Sequence, residues 1–146
     1  MRMITLWHQP IDFAFYICDP AVKVRLGLSV SAEIAERRLV ERDGIVIVGV
    51  LSEFTTIPIA VELAIHGIEP SSRMQWDRIE EGAIEVRGNR LSFQGGVGDE
   101  FASVEIEPGR YHLRVHYGGQ HTEQPDGSTE DFYLIQIWPE FRDLGT

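Results

Sequence analysis

The sequence predicts an all-β protein, mostly an antiparallel β-sandwich of about nine strands. Apolar and polar residues alternate with the period of a strand along most of the chain, and turn dipeptides separate the alternating runs at short intervals. Strands joined by short turns favour antiparallel pairing, and two such sheets packed face to face bury the apolar side of each. A chain of 146 residues suits one compact domain, so we expect residues 1–146 to form a single sandwich domain.

Four strands are predicted in the first half of the chain, at 11–18, 38–42, 45–51 and 57–65. In the first of these, apolar residues at alternate positions put Ile11, Phe13, Phe15 and Ile17 on one face of the strand. The dipeptide Asp43-Gly44 separates the second strand from the third and is typical of a two-residue hairpin turn. One short helical turn is predicted at residues 31–36, because Ser31 is a favourable N-terminal cap.

Five strands are predicted in the second half, at 83–87, 90–93, 103–106, 111–117 and 132–138. The tight turn Gly88-Asn89 separates the first two strands, and Pro108-Gly109 separates the third from the fourth. We interpret Pro108-Gly109 as the turn of a hairpin. The run 132–138 is apolar on both of its faces. Such a pattern is typical of a strand in the middle of a sheet or of one that a partner covers.

The net charge limits the classes of partner. Thirteen basic and twenty-three acidic side chains give a formal charge of −10, which argues against binding to nucleic acid and to anionic membranes. The charge is uneven along the chain: residues 1–73 hold seven basic and nine acidic side chains, and residues 74–146 hold six and fourteen. The acidity therefore belongs mainly to the second half.

The cysteine content and the hydropathy indicate a cytoplasmic protein. Cys18 is the only cysteine, so no internal disulfide can form, and its position in an apolar run favours a buried, inert thiol. No stretch approaches the roughly 18 apolar residues of a membrane span, and the start of the chain lacks the features of a signal peptide.

One long segment, residues 118–131, lies between two predicted strands without a secondary-structure pattern of its own. It carries four carboxylates and no lysine or arginine, and a loop of this length is usually functional or merely mobile. The spacing of the carboxylates does not match a calcium loop. A contact loop for a partner and a solvated hairpin tip both remain open, and the contact charges would be Glu123, Asp126, Glu130 and Asp131.

Three histidines form the second candidate site. His112 and His116 share the more polar face of one predicted strand and His121 follows in the next loop, so the three rings could meet on a zinc ion if the strand curls. Arg114 lies between the first two and would oppose a metal, so a solvated strand face is the favoured interpretation. No cofactor is expected. Because no catalytic signature is present, the sequence favours a non-enzymatic protein and leaves a hydrolase as an alternative.

Several of these elements, in this order, resemble small bacterial β-sandwich proteins similar to competence protein J, the inhibitor of the DNA-uptake nuclease. The matching features are the helical turn at 31–36, the Asp43-Gly44 turn with the strand Ile45–Leu51, the proline-glycine hairpin 106–115, and the acidic loop followed by the strand ending at Pro139. The resemblance implies a sandwich fold and an inhibitor-like role. It transfers no functional residue to this chain.

These observations lead to one functional expectation and two alternatives. We expect a bacterial interaction protein, inhibitor-like or immunity-like, whose acidic second half binds a basic protein partner such as a nuclease, with the loop 118–131 entering a positively charged groove. The first alternative is a metal-binding or small-molecule-binding sandwich that uses the three histidines. The second is a structural homodimer in which apolar faces of the 132–138 or 57–65 strand meet across subunits.

Overall fold

The computed structural model describes residues 2–22, 31–42, 44–65, 76–96, 98–122, 124–126 and 129–140. In this part of the chain there are ten strands and one helix. In chain order they are β1 (Arg2–His8), β2 (Ala14–Cys18), α1 (Ser31–Arg37), β3 (Leu39–Arg42), β4 (Ile45–Gly49), β5 (Ile57–Leu63), β6 (Arg78–Val86), β7 (Arg90–Gln94), β8 (Glu100–Glu105), β9 (Gly109–Gly118) and β10 (Phe132–Pro139).

The strands form two five-stranded sheets. The first sheet has the order β1-β5-β10-β9-β6 and the second has the order β3-β4-β2-β7-β8. Neighbouring strands run antiparallel except β5 and β10, which are parallel. The prediction of an all-β, mostly antiparallel sandwich is confirmed, and so is the short helix that precedes β3.

The core lies between the two sheets because alternate residues of each strand point inward. Phe15 of β2, Leu113 of β9 and Ile135 of β10 are all completely buried there. A second, smaller cluster lies on the outer side of the second sheet, where Ile34 of α1 covers β4. A Cβ atom at Gly49 would lie 2.6 Å from a methyl carbon of Ile34, so a glycine is needed where the helix crosses this strand.

Tight turns in the second half join the two sheets. The connections β6–β7 (residues 87–89) and β8–β9 (residues 106–108) each link a strand of one sheet to a strand of the other. The interpretation of Pro108-Gly109 as the turn of a hairpin is therefore wrong. The β3–β4 hairpin closes where predicted, with Arg42 opposite Ile45, and Asp43 lies outside the described residues.

The N-terminal region differs from the prediction in two respects. Strand β1, which pairs with β5 along its whole length, was not expected. The predicted strand at 11–18 begins only at Ala14, because Asp12 and Phe13 form a turn with φ angles of 62° and 55°. As a result the side chain of Phe13 is half exposed and lies outside the core.

Strand β10 is central in its sheet, between β5 and β9, which explains why both of its faces are apolar. Strand β5 is also central, between β1 and β10. Cys18 is completely buried, so the expectation of a buried thiol is confirmed, and burial raises its pKa to about 11. None of the helical residues that the structure describes forms a helix long and apolar enough to cross a membrane.

Four connections leave the sandwich at the same end, which we call the loop end. They are the segments 9–13, 50–56, 95–99 and 119–131, which join β1 to β2, β4 to β5, β7 to β8 and β9 to β10. The strand register places His8, Ile57, Phe132 and Gly118 side by side at this end of the first sheet. The β3–β4 hairpin and the connections β6–β7 and β8–β9 lie at the opposite end.

Candidate interaction surface at the loop end

The predicted contact loop is the connection of a β-hairpin, since Gly118 of β9 pairs with Phe132 of β10. At its base the hydroxyl of Thr122 donates to the carbonyl of Gly119 at 2.7 Å and accepts from the N–H of Glu130 at 2.8 Å. Gly119 has a φ of 62° and lies against the backbone of Glu130, so a side chain here would strain the backbone and clash. The base of the loop is therefore closed by its own hydrogen bonds.

Gln120 fastens this loop to the body of the sandwich. Its side-chain oxygen accepts a hydrogen bond from the guanidinium of Arg38 at 2.6 Å, and its N–H donates to the carboxylate of Asp77 at 3.0 Å. The same guanidinium lies over the ring of Tyr117, 4.9 Å from its centre, and donates to the carbonyl of Gly49. Arg38 is thus directed inward, toward the loop base.

Of the four predicted contact charges, Asp131 lies inside the molecule, with 2% of its surface exposed. Its carboxylate accepts hydrogen bonds from the N–H groups of Leu51 and Ser52 and from three hydroxyls. Those hydroxyls belong to Ser52, Thr129 and Tyr133. Asp131 therefore joins the loop 119–131 to the segment 50–56 instead of presenting a charge at the surface.

The hydrogen bonds also keep Asp131 ionised. Burial alone would raise the pKa of this carboxyl, but the donors on Ser52, Tyr133 and Thr129 outweigh burial and hold the pKa below its ordinary value. Burying the charge of Asp131 costs free energy, and the hydrogen-bond donors of the segments 50–56 and 119–131 offset this cost.

Two of the other predicted contact charges are exposed to solvent, unlike Asp131. Asp126 and Glu130 are exposed on the loop, and Glu123 lies outside the described residues. Together the four segments of the loop end carry seven carboxylates and no lysine or arginine. They are Asp12, Glu53, Asp99, Glu123, Asp126, Glu130 and Asp131.

The acidic second half does not form one continuous patch. Each of its carboxylates Glu80, Glu81, Glu85, Glu100 and Glu140 forms an ion pair with an arginine. Glu105 and Glu107 are exposed at the opposite end of the sandwich. Among the described residues, the carboxylates of the second half are therefore spread over the strands and both ends of the sandwich.

The three histidines do not meet. His112 is half exposed and stacks on Trp138, with ring centres 5.6 Å apart, whereas His116 is completely buried against Trp76. His121 has 86% of its side chain exposed, and its Nε2 lies 3.9 Å from the carboxylate of Asp77. Among the residues that the structure describes, no group of three or more potential ligands could hold a metal ion.

His116 is the most deeply buried of these three histidines. Its Nδ1 donates to the carbonyl of Leu134 at 3.3 Å, and its Nε2 is buried and finds no hydrogen-bond partner among the described residues. Burial lowers the pKa of His116, and the charge of Arg114 lowers it further. The ring is therefore held neutral beneath Trp76 as part of the packing on the outer face of the first sheet.

Two phenylalanines on the loop-end segments are exposed, which the sequence pattern does not predict. Phe13 is 50% exposed and Phe54 is 65% exposed. The alternation along residues 11–18 places Phe13 on the same face as Phe15. For Phe54 the available signal was its position as a single aromatic residue in the polar segment Ser52–Thr56, where a core position is not expected.

Comparison with solved structures identifies proteins with the same fold. ComJ from Bacillus subtilis, described as an inhibitor of the DNA degrading activity of NucA, has a TM-score of 0.72 at 14% identity, with 96% of each chain covered. A protein described as Crocagin biosynthetic gene J has a TM-score of 0.56 at 14% identity, with 97% of this chain and 100% of that chain covered. No family model matches the chain, and no curated protein matches its sequence. The resemblance to small bacterial sandwich proteins of the competence protein J type is confirmed at the level of the fold.

Proposed function

We propose that this chain is a non-enzymatic, inhibitor-like bacterial protein that binds a basic protein partner, a DNA-degrading nuclease, through the loop end of the sandwich. The observation that carries the proposal is the composition of the four loop-end segments, which hold six carboxylates besides the buried Asp131 and no lysine or arginine. Four of the six come from the acidic second half. Such a surface favours a cationic partner and rejects anionic ones.

The geometry of the loop end supports this role. A nuclease has a positively charged groove for the phosphates of its substrate, and a protein that presents carboxylates on an ordered loop can occupy that groove. The base of the loop 119–131 is fixed by Thr122, Gln120 and Asp131, so its exposed carboxylates are positioned before the partner arrives. The shared fold with ComJ, whose described activity is inhibition of a nuclease, supports the same class of partner. A single buried cysteine suits the reducing cytoplasm.

The metal-site alternative receives no support from the arrangement of the histidines. His112 and His121 are exposed, whereas His116 is buried. Each ring has a different neighbour: Glu140 for His112, Trp76 for His116 and Asp77 for His121. The homodimer alternative stays a prediction that light scattering on the purified chain decides.

The first experiment measures degradation of linear DNA by NucA, the nuclease named in the description of ComJ, with increasing amounts of the purified chain. We expect saturable inhibition that weakens when the salt concentration rises from about 50 mM to about 500 mM, because exposed charges are screened. Absence of inhibition at micromolar concentrations contradicts the proposal. Inhibition that is insensitive to salt contradicts its electrostatic part.

A matched pair of charge variants locates the surface. The variant D126N/E130Q removes two exposed carboxylates at the loop end, and E105Q/E107Q removes two at the opposite end. We expect the first variant to slow association with NucA and to lower its dependence on salt, and we expect the second to behave as wild type. Equal effects of the two variants would show that the loop end is not the contact surface.

A further inference from the structure

Phe13 and Phe54 lie on two loop-end segments, 9–13 and 50–56, that are hydrogen-bonded to each other. Asp12, which precedes Phe13, donates its N–H to the carboxylate of Glu53, which precedes Phe54, at 3.2 Å. The N–H of Phe54 in turn donates to the carbonyl of Pro10 at 2.9 Å. The two rings therefore stand on a single cross-linked platform.

The backbone of this platform is held in an unfavourable conformation. Asp12, Phe13, Arg38 and Phe54 have φ angles between 55° and 65°, and among the described residues other than glycine no further one has a positive φ. Asp12, Phe13 and Phe54 lie on the loop-end segments 9–13 and 50–56, whereas Arg38 lies between α1 and β3, where its guanidinium is bound to Gln120. Side chains larger than asparagine rarely adopt this conformation, so the surrounding contacts must impose it.

The contacts that impose it are in place on every side. Val50 donates its N–H to the carbonyl of Phe13 at 2.8 Å, and the side chain of Gln9 donates to the carbonyl of Phe54 at 2.5 Å. On the other side of Phe54, the N–H groups of Leu51 and Ser52 are bound by the buried carboxylate of Asp131. Without these hydrogen bonds the backbone could relax to a negative φ, and the two rings could turn away from solvent. The hydrogen bonds prevent both changes.

We infer that Phe13 and Phe54 are the apolar anchors of the partner interface, and that they insert into an apolar pocket of the partner that is surrounded by lysine or arginine. This inference rests on the proposed function and specifies the contact. Exposed aromatic side chains fixed before binding lose little conformational entropy on binding, and such residues dominate the binding energy of protein interfaces. Phe13 and Phe54 are such residues, because both rings are exposed and the backbone that carries them is held by hydrogen bonds.

The required chemistry of the partner follows from the charges beside the rings. Asp12 and Glu53 adjoin Phe13 and Phe54 in sequence, and Asp99 lies on the neighbouring segment 95–99, whose Gly96 packs against the carbonyl of Ile11. The segments 9–13, 50–56 and 95–99 contain no lysine or arginine. A partner that accepts the rings must therefore place cations around its apolar pocket, because an acidic rim would be repelled and a neutral rim would leave these carboxylates without partners.

The test replaces both rings with asparagine, in the variant F13N/F54N. Asparagine tolerates a positive φ better than phenylalanine, so this change removes the rings and relaxes the backbone. The matched control is I65S, which removes an apolar side chain of similar exposure, 66%, near the opposite end of the molecule. Thermal unfolding of all three proteins is recorded first. We expect F13N/F54N to unfold at the wild-type temperature or above, and a lower temperature would indicate that the rings are packing residues and would overturn the inference.

Binding to immobilised NucA is then measured for the same proteins. We expect F13N/F54N to weaken the affinity roughly 30-fold, chiefly through faster dissociation, and I65S to bind as wild type. An F13N/F54N variant with wild-type affinity overturns the inference. If the wild-type chain does not bind NucA, the proposed function fails, and the inference is decided by the next experiment alone.

The second arm uses no nuclease. A library of random peptides displayed on phage is selected on the immobilised wild-type chain, and the enriched peptides are synthesised and tested against both variants. We expect peptides that combine lysine or arginine with apolar residues, that bind wild type and I65S, and that bind F13N/F54N at least about 30-fold more weakly. Enriched peptides without basic residues, peptides that bind F13N/F54N equally well, or a selection without enrichment would each overturn the inference.

Discussion

Position 131 carries a carboxylate that is 2% exposed and that accepts hydrogen bonds from Leu51, Ser52, Thr129 and Tyr133. Its neighbour Glu130 is exposed. The two residues show why acidic composition alone does not identify contact charges. A carboxylate next to the end of a strand can accept all its hydrogen bonds from backbone and hydroxyl donors inside the protein. The tertiary structure determines which of two adjacent acidic residues turns inward.

The variant D131A should lower the free energy of unfolding by about 3 kcal/mol, because it leaves the Tyr133 hydroxyl and the N–H of Ser52 buried without their acceptor. Urea unfolding monitored by tryptophan fluorescence measures this change. The control E130A removes an exposed carboxylate and should change stability by less than about 0.5 kcal/mol. Equal stability of D131A and wild type would show that Asp131 does not hold the two segments together.

At the scale of the element, the inter-sheet connections determine how the strands are divided between the sheets. A connection of three residues spans about 10 Å when extended, which matches the separation of two packed sheets. Side chains then fix each connection. Asp19 accepts hydrogen bonds from the N–H groups of Arg87 and Gly88 in the β6–β7 connection, and the hydroxyl of Tyr111 donates to the carbonyl of Glu107 at 2.6 Å in the β8–β9 connection.

The role of Asp19 can be tested directly. We expect D19A to lower the free energy of unfolding by about 2 kcal/mol, since two N–H donors of the connection and that of Ala21 lose their acceptor. Amide hydrogen exchange should also become faster at Arg87 and Gly88, while exchange in the β3–β4 hairpin stays unchanged. Unchanged exchange at both residues would mean that the turn is stable without the carboxylate.

The same connections explain how far the sequence predicts this fold. Period-two alternation was sufficient for the fold class and for nine of the ten strands, because one face of each strand must be apolar. A turn dipeptide marks a reversal of the chain, but it does not determine whether the flanking strands pair with each other or pack face to face in different sheets. The Pro108-Gly109 turn was misinterpreted for this reason, since its outcome depends on contacts such as Tyr111 with Glu107.

The candidate site was predictable only in part. The acidic loop could be located because it lacks a strand pattern, and its carboxylates could be counted. The position of Phe13 could not be inferred, because a positive φ at Asp12 and Phe13 shifts the chain out of the strand that the alternation describes. That backbone conformation is imposed by hydrogen bonds from the segment 50–56, which is distant in sequence.

At the scale of the whole molecule, the buried ionisable groups are held in opposite charge states. His8 and His116 are buried, and burial lowers the pKa of each ring, although Asp99 partly opposes the effect at His8. Asp19 and Asp131 are buried as carboxylates. Backbone N–H donors, chiefly that of Ala21, lower the pKa of Asp19, and the hydroxyl donors lower that of Asp131 against the effect of burial.

These shifts predict the dependence of stability on pH. A histidine whose pKa is lowered by folding takes up its proton first in the unfolded chain, so stability should fall as the pH drops below the ordinary histidine pKa of 6.5. A carboxylate whose pKa is lowered by folding stabilises the folded chain above its ordinary pKa of 3.8, so a further loss should follow below that pH. Urea unfolding at pH values between about 8 and 3 measures both losses.

Two variants separate the histidine effect from a general effect of acid. H116Q replaces one buried ring by a side chain that does not titrate, so its stability should depend less on pH between about 7 and 5 than that of the wild type. H121Q is the matched control and should retain the wild-type dependence, because the His121 side chain is 86% exposed and this variant removes no buried ring. A free energy of unfolding that stays constant from pH 8 to 5, or that rises on acidification, would contradict the neutral, buried state of His8 and His116. The nuclease assays should therefore be carried out above pH 7, where both rings are neutral in the folded and the unfolded chain and a loss of binding reports on the loop end itself.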